Sequence, residues 1–404
     1  MDRNIALYPW FRFFQNLMFW HGIWFLYFQR TLSAADAILL YVVYDIATTA
    51  LEVPSGYLSD RWGRKIALVA SAASGLVGAF LLTTGNSFIA FALAQAALGA
   101  SMAFTSGTDS ALLYESLAAA ARADEVERQE LRAWRFGFVA PALAAVLGGA
   151  MALHSFLLPF LFGVFAYGAT LWIALGFREP AHSDRPVPQG AELMRLTSLR
   201  AALTEPVLVW LFCLGLLMYV FSHVPYVFGQ PFIFEALKSA GLETEAPLVS
   251  GMVSAAMMIL SVIASLFALR LRERLGLPAI LLLAFAMQIG VIAVLALTAS
   301  TLAIAVLFLR MVPDSLSRPF ILARIQPVLS DESRATYLSL RSFAARLVFS
   351  ASLWFASLGA SGEGEMAYDE LRAVLGVYVL AGLIGLGALL LAAQRLPIEA
   401  NPQA

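Results

Sequence analysis

Charge is scarce in this 404-residue chain: 13% of its residues are Asp, Glu, Lys or Arg, against about a quarter in a soluble domain. The 26 basic residues meet 27 acidic ones, so no basic excess exists to follow nucleic-acid phosphates, and DNA and RNA are excluded as partners. One cysteine, Cys213, sits inside an apolar run, which rules out a disulfide framework and any CxxC or Cys/His zinc site. The four histidines, His21, His154, His182 and His223, are isolated, and neither HExxH nor GxSxG occurs. No metal, cofactor or nucleophile with its base is therefore expected, and the chain reads as non-enzymatic. A channel is disfavoured too, because no filter-like repeat is present.

What the chain has in plenty is apolar surface: 60% hydrophobic residues and a mean hydropathy of +0.79. The start, MDRNIALYPWFRFFQ, lacks the short apolar core and cleavage site of a signal peptide, and its run continues to about Phe28. A helix needs about 20 mostly apolar residues to cross a bilayer. Twelve such runs are expected, the first six near 5–28, 36–58, 66–84, 87–110, 134–153 and 156–177. The second six lie near 206–230, 247–269, 277–298, 301–322, 337–358 and 371–394. These are twice the length of a barrel strand and lack its alternation, so the class is an all-α polytopic membrane protein.

Arg30, Lys238 and Arg372 fall on one side of these spans and Arg12 and Arg310 within them, which leaves the remaining 21 basic residues on the other side or its helix ends. The asymmetry predicts cytoplasmic termini. The longest polar stretch, 178–205, carries three prolines and an amphipathic segment from about Ala191 to Leu203. It reads as a cytoplasmic linker between two six-helix bundles, 1–177 and 206–404.

The loop after the second span, GYLSDRWGRKIAL, has an echo after the eighth, LRLRERLGLPAIL. With Gly63 placed on Gly276, Leu58, Asp60, Arg61 and Leu68 meet Leu271, Glu273, Arg274 and Leu281. Two similar halves in one chain indicate parallel repeats with a central cavity at their interface. The first copy carries Gly56, Leu58, Asp60, Arg61, Gly63, Arg64 and Lys65, and so resembles the G-x-L-x-D-R-x-G-R-K loop of the major facilitator superfamily. The resemblance extends over the whole chain through the twelve spans and the central linker. It implies the twelve-helix fold with two pseudo-symmetric bundles, alternating-access transport of a small organic solute, and a role for this loop in stabilising one conformation. Glu115, ending the fourth span, stands where the family often has an acid that pairs with the loop arginine, so Arg64–Glu115 is the expected pair. A drug:proton antiporter is the subclass most resembled, although the fourth span has Gln95 and Gly99 without an arginine, and six residues separate Pro141 from Gly148-Gly149.

Ionisable side chains in a span are costly and point to a solute or proton pathway. On the second span Tyr41, Asp45, Thr48 and Glu52 form one stripe, and on the fourth Gln95, Met102, Ser106 and Asp109 do. Arg12, Asn16 and Trp20 follow at successive i+4 steps on the first, Tyr219, His223, Tyr226 and Gln230 lie on the seventh, and Arg310 precedes Asp314 by four on the tenth. Asp45 falls near mid-bilayer, where a bare carboxylate is costly, so Asp45 or Asp109 is the expected proton carrier, with His223 next. Arg12, Asn16, Trp20, Tyr41, Gln95, Met102, Ser106, Tyr219, His223, Tyr226, Arg310 and Asp314 are the expected solute contacts. Each has a plainer alternative: Arg310 and Asp314 can neutralise each other, the aromatics can pack, and each histidine can be structural. Glu52, Gly56, Asp60, Arg61, Gly63, Arg64, Lys65 and Glu115 are the expected gate. The aromatic and methionine lining favours proton-driven export of a drug-like solute or metabolite. Arg12, Arg310 and His223 suit the alternative, proton-coupled uptake of an anionic nutrient or metal chelate. A sensor with the same fold would carry a long soluble extension. The expected setting is a bacterial inner membrane, with solute, protons and lipid as partners and the chain as a monomer.

Overall fold

A computed structural model describes residues 1–180, 204–325, 331–360 and 365–399. His182 and the amphipathic segment expected from Ala191 to Leu203 lie outside them. All regular structure among the described residues is helical. The first eight helices are α1 (Asp2–Gln15), α2 (Trp24–Gln29), α3 (Ala34–Trp62), α4 (Arg64–Thr84), α5 (Phe88–Thr105), α6 (Thr108–Ala119), α7 (Val126–His154) and α8 (Leu158–Gly176). There follow α9 (Pro206–Lys238), α10 (Ala246–Leu275), α11 (Leu277–Leu297), a 3₁₀ stretch (Thr301–Leu309), α12 (Val312–Ile325), α13 (Asp331–Leu358) and α14 (Tyr368–Ala393).

Local chemistry marks where these helices begin. Ser33 and Ser87 accept the backbone N–H of Asp36 and Ala90, capping α3 and α5. Glu205 accepts from Leu208 N at 2.6 Å, and Pro206 fills the first position of α9, where no N–H is missed.

The chain divides into two compact units: Met1–Asp184 with Thr244–Ala255 and Ser361–Glu365, and Arg185–Glu243 with Ala256–Ala360 and Met366–Ala404. In the first, α4 packs on α5 and α8, α3 on α5, and α1 on α7 and α8. Phe11, Leu68, Leu112 and Phe177 meet in one buried cluster. In the second, α11 packs on α14 and α12, and α9 on α13 and α14. Tyr337 donates to Leu208 O at 2.6 Å and Trp210 to Leu389 O at 3.0 Å, tying α13 and α14 to α9.

Nine helices among the described residues are long and apolar enough to span a bilayer. The other three expected spans depart from a plain run. The first is interrupted between Gln15 and Trp24, and the tenth turns from a 3₁₀ stretch into α12. The eleventh carries Arg341 and Arg346 within α13. The apolar side chains left uncovered, such as Phe165, Trp172, Leu302 and Ile384, would be an aggregation surface in water and are the expected face toward lipid.

The internal repeat is visible in the backbone. Gly63 and Gly276 both take positive φ, +102° and +81°, at the tight links from α3 to α4 and from α10 to α11. At each link a distant glutamate receives the free N–H groups that open the next helix. Glu179 accepts from Arg64 N at 2.7 Å and Lys65 N at 2.8 Å, and Glu399 accepts from Leu277 N at 2.9 Å.

Candidate functional site

The loop between α3 and α4 closes on one arginine. Arg64 donates from Nη1 to Asp60 at 2.6 Å and to Ser59 at 2.9 Å, and from Nε to Glu115 at 3.1 Å. The expected Arg64–Glu115 contact is thus present, and it fastens the start of α4 to α6. Thr108 at the head of α6 donates to Ser59 at 3.2 Å, so α3, α4 and α6 share one polar knot. Arg61 reaches Tyr57 OH at 3.2 Å on the exposed side and Lys65 lends its backbone to Glu179. Gly56 lies within α3, which runs on past Pro54 to Trp62, and Glu52 sits half-buried before it.

The fourth expected span is two helices. α5 ends at Thr105, Gly107 takes φ +76°, and α6 starts at Thr108 with Asp109 in its first turn. The stripe Gln95, Met102, Ser106, Asp109 therefore does not hold, since a helical spacing cannot cross a left-handed residue without rotating the residues beyond it. Gln95 is 8% and Asp109 3% exposed, while Met102 is 48% exposed. Asp109 is salt-bridged to Arg12 Nη1 and accepts Ser110 N at 2.8 Å. Around them Gln15 donates to Thr105, which also meets Ser71.

The face Arg12, Asn16, Trp20 is broken as well, because α1 stops at Gln15. Asn16 turns back to donate to Arg12 O at 2.7 Å, and Trp20 packs flat on Phe160 and near Tyr167. Trp20 is therefore a packing residue here. Tyr41 is buried against Trp24 and Tyr44. Asp45 is fully buried on α3.

In the second unit the 3₁₀ stretch hands over to α12 at Arg310–Met311, and Asp314 lies in the first turn of α12, as Asp109 does in α6. Ser222 donates to Asp314 Oδ2 at 3.0 Å and Gln288 Nε2 to Oδ1 at 3.3 Å. Arg310, which acts electrostatically on Asp314, has its Nε at 3.3 Å from Met257 Sδ, its Nη1 at 3.4 Å from the Ser222 carbonyl, and its guanidinium 5.3 Å from the Tyr226 ring centre. Ser222 thus links the two residues, hydroxyl to the acid and carbonyl to the base. His223 bonds Tyr219 O through Nδ1 at 2.7 Å and stacks on the Tyr219 ring. Gln230 is buried.

Two arginines here carry no signal in the sequence pattern. Arg346 approaches the Tyr219 ring at 5.9 Å, and Arg341 lies against Gly215 of α9. The basic asymmetry counts both with the cytoplasmic residues, yet α13 runs as one helix from Asp331 to Leu358. Arg310, Arg318 and Arg346 all act electrostatically on His223, and Arg318 on Arg341.

The family model of the Major Facilitator Superfamily matches residues 10–353. No curated protein matches the chain. The nucleoside transporter NupG is similar in structure, with 15% identity, 97% of this chain and 99% of that chain covered, and a TM-score of 0.77. The peptide transporter POT in complex with sulfate has 13% identity, 97% and 94% coverage and a TM-score of 0.75. For a D-xylose-proton symporter the values are 14%, 95% and 96%, and 0.66. At such identities the likeness is one of fold. Since the family match itself runs from α1 into α13, this chain is a multi-pass, non-enzymatic transport protein that belongs to the Major Facilitator Superfamily.

Proposed function

We propose that the chain is a proton-coupled secondary transporter of a small organic anion, working by alternating access between two six-helix bundles in a bacterial inner membrane. One observation carries this reading: in the second unit Arg310 and Arg318 act electrostatically on Asp314, and Arg346 joins them around the neighbouring His223. A positive surplus in a low dielectric attracts an anion, and charges held this deep mark a solute path. A proton bound by any carboxylate facing that surplus enlarges it and strengthens anion binding. Proton and anion therefore favour travelling together, which supports symport and uptake. The fold is shared with a D-xylose-proton symporter, so proton coupling is compatible with it.

Export in exchange for protons is the second reading, and the apolar and aromatic partners of Arg310, Met257 and Tyr226, favour it by suiting an amphipathic solute. Proteoliposomes given an acidic exterior and a panel of organic anions, neutral solutes and organic cations separate the two. Accumulation of an anion that collapses with a protonophore is the expected result. Expulsion on the same gradient supports export, and a cationic cargo overturns the proposal.

A further inference from the structure

The two acids at the heads of α6 and α12, Asp109 and Asp314, have partners of different kinds. Asp109 meets donors only, the Arg12 guanidinium and the Ser110 amide, neither of which can accept a hydrogen bond. Asp314 meets a hydroxyl and a carboxamide, and each of these can donate or accept. Gln288 is 2% exposed and its Oε1, also buried, has no hydrogen-bond partner among the described residues. A buried amide oxygen without a donor beside a carboxylate is the place where an acid O–H fits.

We propose that Asp314 is the proton-carrying group of this transporter and that Gln288 is its amide switch. With Asp314 ionised, Gln288 Nε2 and the Ser222 hydroxyl donate to the two carboxylate oxygens. A proton taken from the aqueous path forms the O–H bond on Oδ1, and the carboxamide turns over so that Oε1 accepts it. Release of the proton reverses the turn. Either orientation leaves one end of the amide unmet, so Gln288 favours neither state strongly and leaves the site poised. The groups around Asp314 are Ser222 from α9, with His223 next to it, Gln288 from α11, and Arg310 and Arg318 along its own segment. Protonation removes the one negative charge facing those arginines, which is how proton uptake promotes anion entry. The inference rests on the proton coupling proposed above and moves the carrier from Asp45 and Asp109 to Asp314.

Infrared difference spectra of the full chain in lipid, recorded as the pH is lowered across neutrality without any solute, read the site directly. A protonated-carboxyl band should grow together with a shift of a glutamine side-chain carbonyl band. Asp314→Asn should lose the carboxyl band, and Gln288→Leu, which keeps the acid, should lose the glutamine shift and displace the carboxyl band. A band that survives Asp314→Asn, or vanishes in Asp45→Asn instead, overturns the assignment. Should Asp314→Asn fail to fold, an unchanged carboxyl band in Gln288→Leu overturns it alone. Because no solute is present, a failure of the anion reading in transport assays leaves this result standing.

Discussion

Breaking the Arg12–Asp109 pair tests whether the head of α6 is fastened by charge. The Asp109 side chain is 4% accessible and that of Arg12 33%. Losing one partner of a fully buried pair costs roughly 3–5 kcal/mol, chiefly because a charge stays behind in low dielectric. After Asp109→Asn the stranded charge is Arg12, whose accessible third lets water or lipid headgroups relax around it, so about 3 kcal/mol is expected. That is roughly a hundredfold in the folding equilibrium. Arg12→Met strands the less accessible charge with only the Ser110 amide, and about 4 kcal/mol is expected. Arg12→Met combined with Asp109→Leu removes both charges and should return to within about 1 kcal/mol of the natural chain. Unfolding of all four proteins in a mild detergent titrated with SDS, followed by tryptophan fluorescence, gives the comparison. Losses that simply add, or an Asp109→Asn variant of natural stability that has lost only its proton coupling, would refute the fastening and return Asp109 to the role its sequence position suggested.

Three further outcomes are expected. A cysteine probe placed near Glu243 or Glu365 should be labelled from outside the cell and one near Arg128 should not; the reverse pattern sinks the orientation drawn from the basic asymmetry. Asp60 is 69% accessible, so its bond to Arg64 contributes less than about 1 kcal/mol to stability; Asp60→Asn should nonetheless slow transport with solute affinity in detergent unchanged, because a latch biases one state over another, and an equal loss of affinity would place it in the binding site. Glu179→Ala and Glu399→Ala should each cost about 1 kcal/mol through lost helix caps, read as lowered thermal midpoints, and a pair of unchanged midpoints would show the caps to be ornamental.

What the sequence made legible was whatever depends on local pattern. Eight long runs appear as single helices near their expected bounds, because continuous apolar composition leaves a lipid-bound backbone no alternative to its own hydrogen bonds. The Arg64–Glu115 contact was legible for a different reason, the family loop. The breaks were not. An apolar run reads the same whether or not it bends, and the residues that mark the breaks, Gly22, Gly107 and Pro313, signal them weakly, since glycine and proline are common in membrane helices. Once a break is missed, the residues drawn as one stripe across it no longer lie on one continuous helix, as at Gln15 and Thr105. Arg341 and Arg346 were missed because their span reads as a charged helix end, and Gln288 and Ser222 because neutral polar residues carry no charge to arouse notice. Glu179 and Glu399 cap helices over a hundred residues away in sequence, beyond any periodicity.

The repeat and the divergence between the halves bear on mechanism together. Both halves keep the tight glycine link and the distant glutamate cap, devices that fix where a helix starts and are indifferent to what the helix carries. Both also place a carboxylate in the first turn of an inner half-helix, where the backbone N–H groups favour negative charge. The halves part company one contact further out, at the partners of that carboxylate. A guanidinium can only donate, so the hydrogen bonds of an acid tied to it run one way. A hydroxyl and a carboxamide can reverse their hydrogen bonds at small cost, and the arginines around them make the charge state of that acid count. Under the proton coupling proposed above, the reversible site is the copy whose helix-head acid meets glutamine and serine, and the other copy's acid is fastened by arginine.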